Sequence, residues 1–413
     1  MNSWPDVYIP KIDSRFTFPA LRLFNTSSRS VEALSKKSHY RMYVCGITPY
    51  DATHLGHAAT YLTFDLINRY LRATGADVDF VQNITDIDDP LLERAARDGV
   101  DWKDLAQSQI DLFRADMTDL HVIPPKNYIG VVEAMPLVVA AVDSLVKSDT
   151  TYDLDGDLYF KVRSDPEFGQ RSHYTPDEML TIFAERGGDP QRVGKSDPLD
   201  ALIWLRQRGE DPGWPSPYGS GRPGWHIECC AIAHHYLSPD ATDEFAIDIQ
   251  GGGSDLIFPH HEMSAAQTRV ITNQKFARTF VHCGMVGLDG QKMSKSLGNL
   301  VFVSRLLAQG VHPSAIRWAL MGHRYSEDLM WNDSLLDVAS AEIERLHMNL
   351  ARMEVAPTDD VIAQIIACLA QDLDTEQVLQ VIRTWMDATE AGSTGGEAGE
   401  LSRALDSLLG ISL

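Results

Sequence analysis

The sequence has few cysteines, no long apolar run and a shortage of basic residues. Its 413 residues include five cysteines, an odd and sparse set that does not predict a disulfide framework. No segment reaches the roughly 18 uninterrupted apolar residues of a membrane span, and the first ten residues lack the basic and apolar regions of a secretory signal. We therefore expect a cytoplasmic protein with no membrane partner.

Basic residues are outnumbered, with 36 lysines and arginines against 58 acids and a formal net charge of -22. The last 63 residues, from Ala351 onward, contain three arginines, no lysine and eleven acids. A protein that binds a phosphate backbone gains affinity from counterion release at a clustered positive surface. The composition therefore disfavours a large nucleic-acid interface, and we expect no nucleic-acid partner.

The order of the predicted elements indicates an α/β fold. Between residues 41 and 84, RMYVCG and DVDFVQNI have the composition of strands, and the amphipathic segment between them predicts a helix that ends at Gly75. A second α/β half follows, in which FAIDIQ and TFVHCGMVGL flank a helix from about Pro259 to Thr272. This alternation predicts a doubly wound, mainly parallel sheet of the Rossmann-like (HUP) type.

Five regions follow from these patterns. The less regular stretch that contains TYDLDGDLYFKV has the turn signals of an antiparallel insertion, and the chain becomes mostly helical from about Leu300. We predict that residues 1–125 and 186–300 form the two halves of the catalytic domain. Residues 126–185 would be an inserted connective subdomain, 301–345 a helical region, and 346–413 a short acidic helical C-terminal domain.

Two short motifs are suited to phosphate groups. THLGH, residues 53–57, opens a helix after a strand, where free backbone amides attract anions and where His54 and His57 add side-chain donors. Far downstream, GLDGQKMSKSLGN places Lys292 and Lys295 on a glycine-bounded loop, where they can neutralise charge on departing pyrophosphate. Taken alone, each motif is more typical of ordinary residues: two surface or core histidines at a helix start, or a solvated basic loop.

Together, and in this order, the two motifs resemble the HIGH and KMSKS signatures of class I aminoacyl-tRNA synthetases. The resemblance implies that His54, His57, Lys292 and Lys295 are catalytic, by binding ATP phosphates and by stabilising the attack of a carboxylate on the α-phosphorus. Over residues 40 to 335, five ordered segments are similar to the catalytic domain of the cysteinyl-tRNA synthetase lineage. They are YVCGITPYD, NITDIDD, GRPGWHIECC, DIQGGGSDLIFPHHE and MVGLDGQKMSKSLGN.

Spacing alone does not join Cys45, Cys229 and His260, which are 184 and 31 residues apart, and each could be a buried thiol or a satisfied histidine. The resemblance makes them the ligands of one zinc ion per chain. Three protein ligands would leave a fourth position for the substrate sulfur, and zinc binds a thiolate far better than the hydroxyl of serine. Selection of cysteine would then depend on the metal.

The resemblance also implies residues around cysteine and its adenylate. Asp255 would pair with the ammonium group of cysteine, and Val286 falls where the family contacts adenine. Magnesium is expected to arrive with ATP, held through phosphate oxygens and water. The expected substrate-binding residues are Cys45, Gly46, Ile47, Thr48, Thr60, Asn83, Ile84, Thr85, Trp225, Gly253, Ser254, Asp255 and Val286.

Two positions depart from the relatives that charge tRNA. Those relatives have a glutamate four residues after the zinc-binding histidine and a histidine before the triple glycine, where this sequence has Ser264 and Gln250. Ser264 is expected to leave the fourth zinc position open. With the acidic C-terminal region and the segment ERGGDP at 185–190, to which the residues alone assign no role, these departures resemble a branch of the lineage that acts in mycothiol biosynthesis.

The resemblance to that branch implies an ATP-dependent, AMP-forming ligase. It would activate L-cysteine as cysteinyl adenylate and transfer it to the amine of glucosaminyl-inositol. The expected partners are ATP, L-cysteine and glucosaminyl-inositol, and the chain is expected to be a monomer. The residues do not nominate a general base for the sugar amine.

Other functions remain open to different degrees. A cysteinyl-tRNA synthetase with a reduced C-terminal domain is the main alternative. A non-catalytic, synthetase-like binding protein is disfavoured because both histidines of THLGH and both lysines of KMSKS are present. A nucleotidylyltransferase would not explain GWHIEC or PHHE, and a metalloprotease would need histidine in place of Ser264.

Overall fold

The computed structural model describes residues 1–238, 243–288, 290–293 and 298–413. Lys295 lies outside these residues, and only the backbone of Lys292 is described. In this part of the chain, no helix combines the length and the apolar character that crossing a bilayer requires.

Helices alternate with strands over the first three quarters of the chain, and the last quarter is mostly helical. The strands are β1 (Arg22–Asn25), β2 (Ser30–Ala33), β3 (His39–Val44), β4 (Asp77–Ile84), β5 (Asn127–Gly130), β6 (Thr151–Leu154), β7 (Asp157–Phe160), β8 (Ala201–Arg206), β9 (Gly221–Pro223), β10 (Phe245–Gly253), β11 (Lys275–Cys283), β12 (Val286–Leu288), β13 (Gln291–Lys292) and β14 (Leu329–Trp331). The α-helices are α1 (Leu55–Ala73), α2 (Asp89–Asp98), α3 (Trp102–Asp119), α4 (Met135–Lys147), α5 (Pro176–Glu185), α6 (Trp225–Leu237), α7 (Glu262–Thr272), α8 (Val303–Ala308), α9 (Pro313–Met321), α10 (Asp333–Leu350), α11 (Asp359–Leu369), α12 (Thr375–Glu390) and α13 (Ala398–Leu409).

The central sheet has five parallel strands in the order β11-β10-β3-β4-β5. The strand order reverses between β3 and β10, and the crevice at such a reversal is where ligands bind in open parallel sheets. Val44 pairs with Gly251 on one side and with Gln82 on the other, so the carboxyl end of β3 opens at that crevice. The predicted α/β, Rossmann-like fold is confirmed.

A second, antiparallel sheet, in the order β6-β7-β8-β9, carries the inserted region between residues 151 and 223. It begins and ends later than the predicted insertion at 126–185, because β5 pairs with β4 in the central sheet. A strand of four residues does not show in its own sequence which sheet it joins, and only its hydrogen bonds to β4 decide that. The loop segment 185–190 lies within the insertion, after α5.

The C-terminal helices pack on the catalytic domain and do not form a separate core. Buried residues of α1 and of α11 to α13 belong to one continuous hydrophobic cluster, which also includes α9 and α10. The buried Arg317 of α9 reinforces this packing, since its guanidinium contacts the main chain at Leu409 and the carboxylate of Asp65 in α1. The acidic tail is therefore continuous with the domain that carries the THLGH motif.

Asp116 of α3 is also buried: it is 1% exposed and has one carboxylate oxygen without a hydrogen-bond partner among the described residues. Burial raises the pKa of Asp116 to about 7. The folded chain therefore binds an extra proton between the pKa of the unfolded residue, about 4, and 7. Loss of this proton leaves a buried charge, so the free energy of unfolding falls as the pH rises through this window.

We expect Asp116→Asn to stabilise the fold at pH 8 by on the order of 2 kcal/mol, because the neutral amide avoids burying a charge. The gain should shrink when unfolding is measured at pH 5. Asp104→Asn, at an exposed position of the same helix, is the matched control and should change little at either pH. An Asp116→Asn effect that is equal at pH 5 and pH 8 would contradict the assignment.

Candidate active site

A cleft of about 870 Å³ lies where the strand order of the central sheet reverses. It is lined by the loop after β3, the start of α1, the start of α6 and residues near β12, so segments from both halves of the catalytic domain meet there. Of the predicted site residues, the cleft is lined by Cys45, Gly46, Ile47, Thr48, His54, His57, Thr60, Trp225, Gly253, Asp255 and Val286.

The two histidines of THLGH lie at the start of α1, as the motif predicts. His54 is the N-cap, and its Nδ1 accepts a hydrogen bond of 3.1 Å from the amide of Gly56. The rings of His54 and His57 stack with centroids 3.7 Å apart. Burial lowers the pKa of His54 to about 4 and that of His57 well below its ordinary value, so both rings are neutral. With Nδ1 of His54 occupied as an acceptor, its Nε2 can donate to a phosphate oxygen.

The THLGH segment is joined to the chain that follows the KMSKS motif. The amide of Leu55 donates to the carbonyl of Val301 at 2.9 Å, and the amide of Val303 donates to the carbonyl of Thr53 at 3.0 Å. These two backbone bonds bring together segments that lie almost 250 positions apart in the sequence. The two predicted phosphate-binding regions are therefore anchored to each other.

Cys45, Cys229 and His260 converge, although they come from the end of β3, from α6 and from the turn before α7. Their ligand atoms all lie within 4.8 Å of one another, and all three residues are buried. The Sγ atoms of the two cysteines are 3.8 Å apart, and Nε2 of His260 lies 3.2 Å from Sγ of Cys229. Two thiols and one imidazole are a donor set that zinc prefers, so the residues fit the metal.

The protonation states of this cluster also suit a cation. Burial lowers the pKa of His260 well below its ordinary value, which leaves the imidazole neutral with a free lone pair. Burial raises the pKa of the Cys229 thiol well above its ordinary value. A buried thiolate at this position therefore requires a positive charge beside it, and a metal ion supplies one.

Two further histidines and a glutamine contact two of the predicted metal ligands. Neither the spacing of these residues nor any motif predicted the contacts. Nδ1 of His226 lies 3.1 Å from Nδ1 of His260 and fixes the ring on the side away from Cys229. Nε2 of Gln250 lies 3.4 Å from Sγ of Cys45 and 2.9 Å from Nε2 of His261. His261 itself lies 3.2 Å from the Cys45 sulfur.

The chain of contacts continues away from Cys45 to the edge of the sheet. Nδ1 of His261 lies 2.7 Å from Nε2 of His282, whose Nδ1 lies 2.7 Å from Oγ1 of Thr26. Both rings are buried, and burial lowers the pKa of His282 to about 3. If the Gln250 amide donates to His261, each following ring donates onward, so one direction of hydrogen bonding runs from Gln250 to Thr26.

Trp225 and Asp255 border the opening of this cluster to the cleft. The indole of Trp225 stacks on the ring of His260 with centroids 4.3 Å apart and an interplanar angle of 27°. The hydroxyl of Ser264 donates to the carbonyl of His226 at 3.0 Å, and this hydrogen bond joins α7 to α6. The aromatic ring thus shapes the pocket beside the predicted ligands.

Four predicted residues, Asn83, Ile84, Thr85 and Ser254, do not line the cleft. Asn83 lies beneath it, where its Oδ1 accepts from the amide of Gly46 at 2.8 Å and its Nδ2 donates to Oγ1 of Thr85 at 3.2 Å. A Cβ at Gly46 would lie 1.6 Å from the carbonyl oxygen of Asn83, so only glycine fits. Asn83 and Thr85 therefore shape the loop that carries Cys45.

Comparison with known proteins agrees with this geometry. The family described as the tRNA synthetases class I (C) catalytic domain matches residues 31–341. The L-cysteine:1D-myo-inositol 2-amino-2-deoxy-alpha-D-glucopyranoside ligase of Nocardia farcinica is 50% identical over 422 residues, covering 100% of both chains. The chain belongs to this ligase family.

Other members of this ligase family are equally similar. The enzymes of the same name from Thermomonospora curvata and Mycolicibacterium smegmatis are 49% and 50% identical, each covering 100% of both chains. Among solved structures, Mycobacterium tuberculosis methionyl-tRNA synthetase in complex with methionyl-adenylate has a TM-score of 0.61 at 17% identity, covering 90% of this chain and 88% of that one. The latter likeness supports the fold. The predicted resemblance to the class I synthetase lineage and its ligase branch is confirmed.

Proposed function

We propose that this ligase family member activates L-cysteine with ATP and transfers it to the amine of glucosaminyl-inositol. In the first step a carboxylate oxygen of cysteine attacks the α-phosphorus of ATP, and pyrophosphate leaves. In the second step the neutral amine attacks the acyl carbon, AMP leaves, and the nitrogen loses a proton as the amide forms. The observation that carries the proposal is that Cys45, which lies in the cluster with Cys229 and His260, lines the same cleft as the two THLGH histidines.

In this proposal the phosphate groups of ATP lie at the start of α1. The helix N-terminus contributes the positive end of the α1 dipole, and the neutral His54 and His57 add donors that require no change of protonation. Preorganised donors of this kind stabilise charge that develops in the transition state. Lys292 and Lys295 are proposed to serve pyrophosphate in the same way, and magnesium is proposed to accompany ATP.

The cysteine substrate is proposed to lie between the metal cluster and Asp255. Cys45, Cys229 and His260 would hold zinc, which would bind the substrate sulfur as a thiolate and so distinguish cysteine from serine. Asp255 lines the same cleft and would pair with the ammonium group. Trp225, stacked on His260, would exclude water from the cysteine side of the site.

The acceptor decides between this function and tRNA charging. The purified protein should be incubated with ATP and cysteine, and then with either glucosaminyl-inositol or tRNA, while AMP and the cysteinyl product are measured. We expect an amide of the aminosugar and no cysteinyl-tRNA. Transfer to tRNA without transfer to the aminosugar would overturn the proposal, and absence of cysteine-dependent ATP–pyrophosphate exchange would revive a non-catalytic function.

The Gln250 amide should strengthen metal binding through its contact with Cys45. Gln250→Leu removes a hydrogen bond to the ligand sulfur and frees the ring of His261. Changes of this kind in residues behind a metal ligand reduce affinity by about 10- to 100-fold. We therefore expect zinc affinity, measured by competition with a chromogenic chelator, to fall about tenfold.

Gln267→Leu is the matched control for this measurement. Gln267 is 0% exposed, and its side-chain amide has no hydrogen-bond partner among the described residues. Its replacement removes a buried glutamine without touching the ligand cluster, so zinc affinity should not change. Equal affinity in Gln250→Leu and the parent protein would show that the Gln250 contact contributes nothing.

A further inference from the structure

One wall of the cleft contains none of the residues proposed to bind ATP or cysteine. It is built by the start of α2, with Asp88, Asp89 and Glu93, and by the segment after α5, with Glu185 to Asp189. The nucleotide and cysteine residues come from other segments, namely THLGH, the loop after β3, the start of α6 and the glycine-rich end of β10. A third substrate must reach the acyl carbon from within the same cleft, and this wall is the surface left for it.

The segment 185–189 is fixed beside the cysteine pocket. Nη1 of Arg186 donates to the carbonyl oxygens of Asp255 and Phe258, so this arginine ties the inserted region to the backbone next to the predicted ammonium-binding carboxylate. Gly187 has a φ of +83°, and a Cβ at Gly188 would lie 2.3 Å from the ring of Phe183. The sequence ERGG therefore produces a tight turn that presents Glu185 to the cleft.

The cations of this wall are already paired. Arg222 forms an ion pair with Asp89, and Nη1 of Arg192 contacts Asp157 at 2.7 Å. The guanidinium of Arg186 donates to two carbonyl groups, so all three arginines have partners within the protein. None of them is left as an uncompensated positive charge for a phosphate group.

Two carboxylates of the wall, in contrast, are exposed and have no hydrogen bond or ion pair within the described part of the chain: Glu93 and Glu185. Nearby, Glu228 is 2% exposed, one of its carboxylate oxygens has no partner among the described residues, and burial raises its pKa well above the ordinary value. Its carboxyl group is therefore neutral, and the exposed negative charge of the wall lies on Glu93 and Glu185. The wall thus offers acceptors for hydroxyl groups and a negative field. Such a surface repels a phosphodiester chain and attracts a neutral or cationic polyol.

We propose that Glu93 and Glu185 form the acceptor subsite and bind hydroxyl groups of a polyhydroxylated amine of disaccharide size. This inference rests on the proposed function and identifies the part of the cleft that holds its third substrate. A carboxylate that accepts from a pair of hydroxyls fixes the orientation of a sugar ring. The same two carboxylates exclude the phosphate-bearing end of a nucleic acid.

Glu93→Gln and Glu185→Gln test this assignment by separating the two half-reactions. Hydrogen bonds to charged groups contribute enough that each variant should raise the KM for glucosaminyl-inositol about tenfold. Cysteine-dependent ATP–pyrophosphate exchange needs no acceptor and should remain within about twofold of the parent rate, because neither carboxylate belongs to the residues proposed to bind ATP or cysteine.

Asp177→Asn is the matched control, since Asp177 is an exposed carboxylate on α5 that does not line the cleft. It should leave both half-reactions unchanged. An unaltered acceptor KM in both glutamate variants, or an exchange rate that falls as much as transfer does, would overturn the subsite. A parent protein that transfers no cysteine to the aminosugar would instead refute the proposed function itself.

Discussion

Replacing His260 with alanine is expected to remove zinc from the protein and to abolish selective activation of cysteine. His260 supplies the only nitrogen of the ligand cluster, and with two sulfurs left the site cannot hold the metal in place. We expect kcat/KM for cysteine in ATP–pyrophosphate exchange to fall about 1,000-fold, more than the about 10- to 100-fold cost of changing residues behind a ligand. Metal content by atomic spectroscopy and exchange kinetics measure the two effects independently.

An exposed histidine on α6 provides the control for this experiment. His235→Ala changes the same residue type on the helix that carries Cys229, outside the cluster. It should retain one zinc ion per chain and the parental exchange rate. Retention of zinc and of cysteine selectivity in His260→Ala would refute the assignment of the three ligands.

Replacing Arg317 with methionine is expected to destabilise the fold by about 2 to 4 kcal/mol, because buried carbonyl groups that lose their donor cost roughly 1 to 3 kcal/mol each. Arg317 is 1% exposed and donates to Asp65 at 2.7 Å, to the carbonyl of Leu120 at 2.8 Å and to the carbonyl of Leu409 at 2.8 Å. Methionine fills a similar volume but leaves the two carbonyl groups short of a donor, whereas Asp65 keeps its ion pair with Arg69 at 2.7 Å. Urea unfolding followed by circular dichroism measures the loss.

This network joins α1 to the C-terminal helices, so its loss should also loosen the contact of α13 with the catalytic domain. Arg403→Met is the matched control, because Arg403 lies on α13, is exposed and has no ion pair within the described residues. Its effect should stay below about 0.5 kcal/mol. Similar unfolding free energies for the two variants would show that the buried network contributes little to stability.

The fold and the two phosphate motifs could be predicted from local patterns. The spacing of apolar residues predicted β3, α1 and β4 within a few residues, and the THLGH histidines lie at the start of a helix as expected. Local patterns failed where pairing decides the outcome. The strand β5 belongs to the central sheet, and the inserted sheet extends to residue 223, because a short strand joins whichever edge offers it hydrogen bonds.

Only part of the candidate site could be predicted from the sequence, because local patterns do not show which distant residues come into contact. Cys45, Cys229 and His260 could be named together only through resemblance to a family, and the structure brings their ligand atoms within 4.8 Å of one another. His226 and His261 lie in the family-like segments, but their contacts with the ligands, like that of His282 with His261, were not predicted, since a buried ring is positioned by partners up to 256 residues away.

The sequence by itself determined the family and the α/β class and named the residues proposed to bind phosphate and a thiol, because motifs and periodicity are local properties of the chain. Only the tertiary structure decided what stands beside those residues. It placed ERGGDP at the wall of the cleft, and it showed that Ser264 ties α7 to α6 through the carbonyl of His226. Hydrogen-bond partners and cavity walls depend on how distant segments pack, and no local pattern encodes that packing.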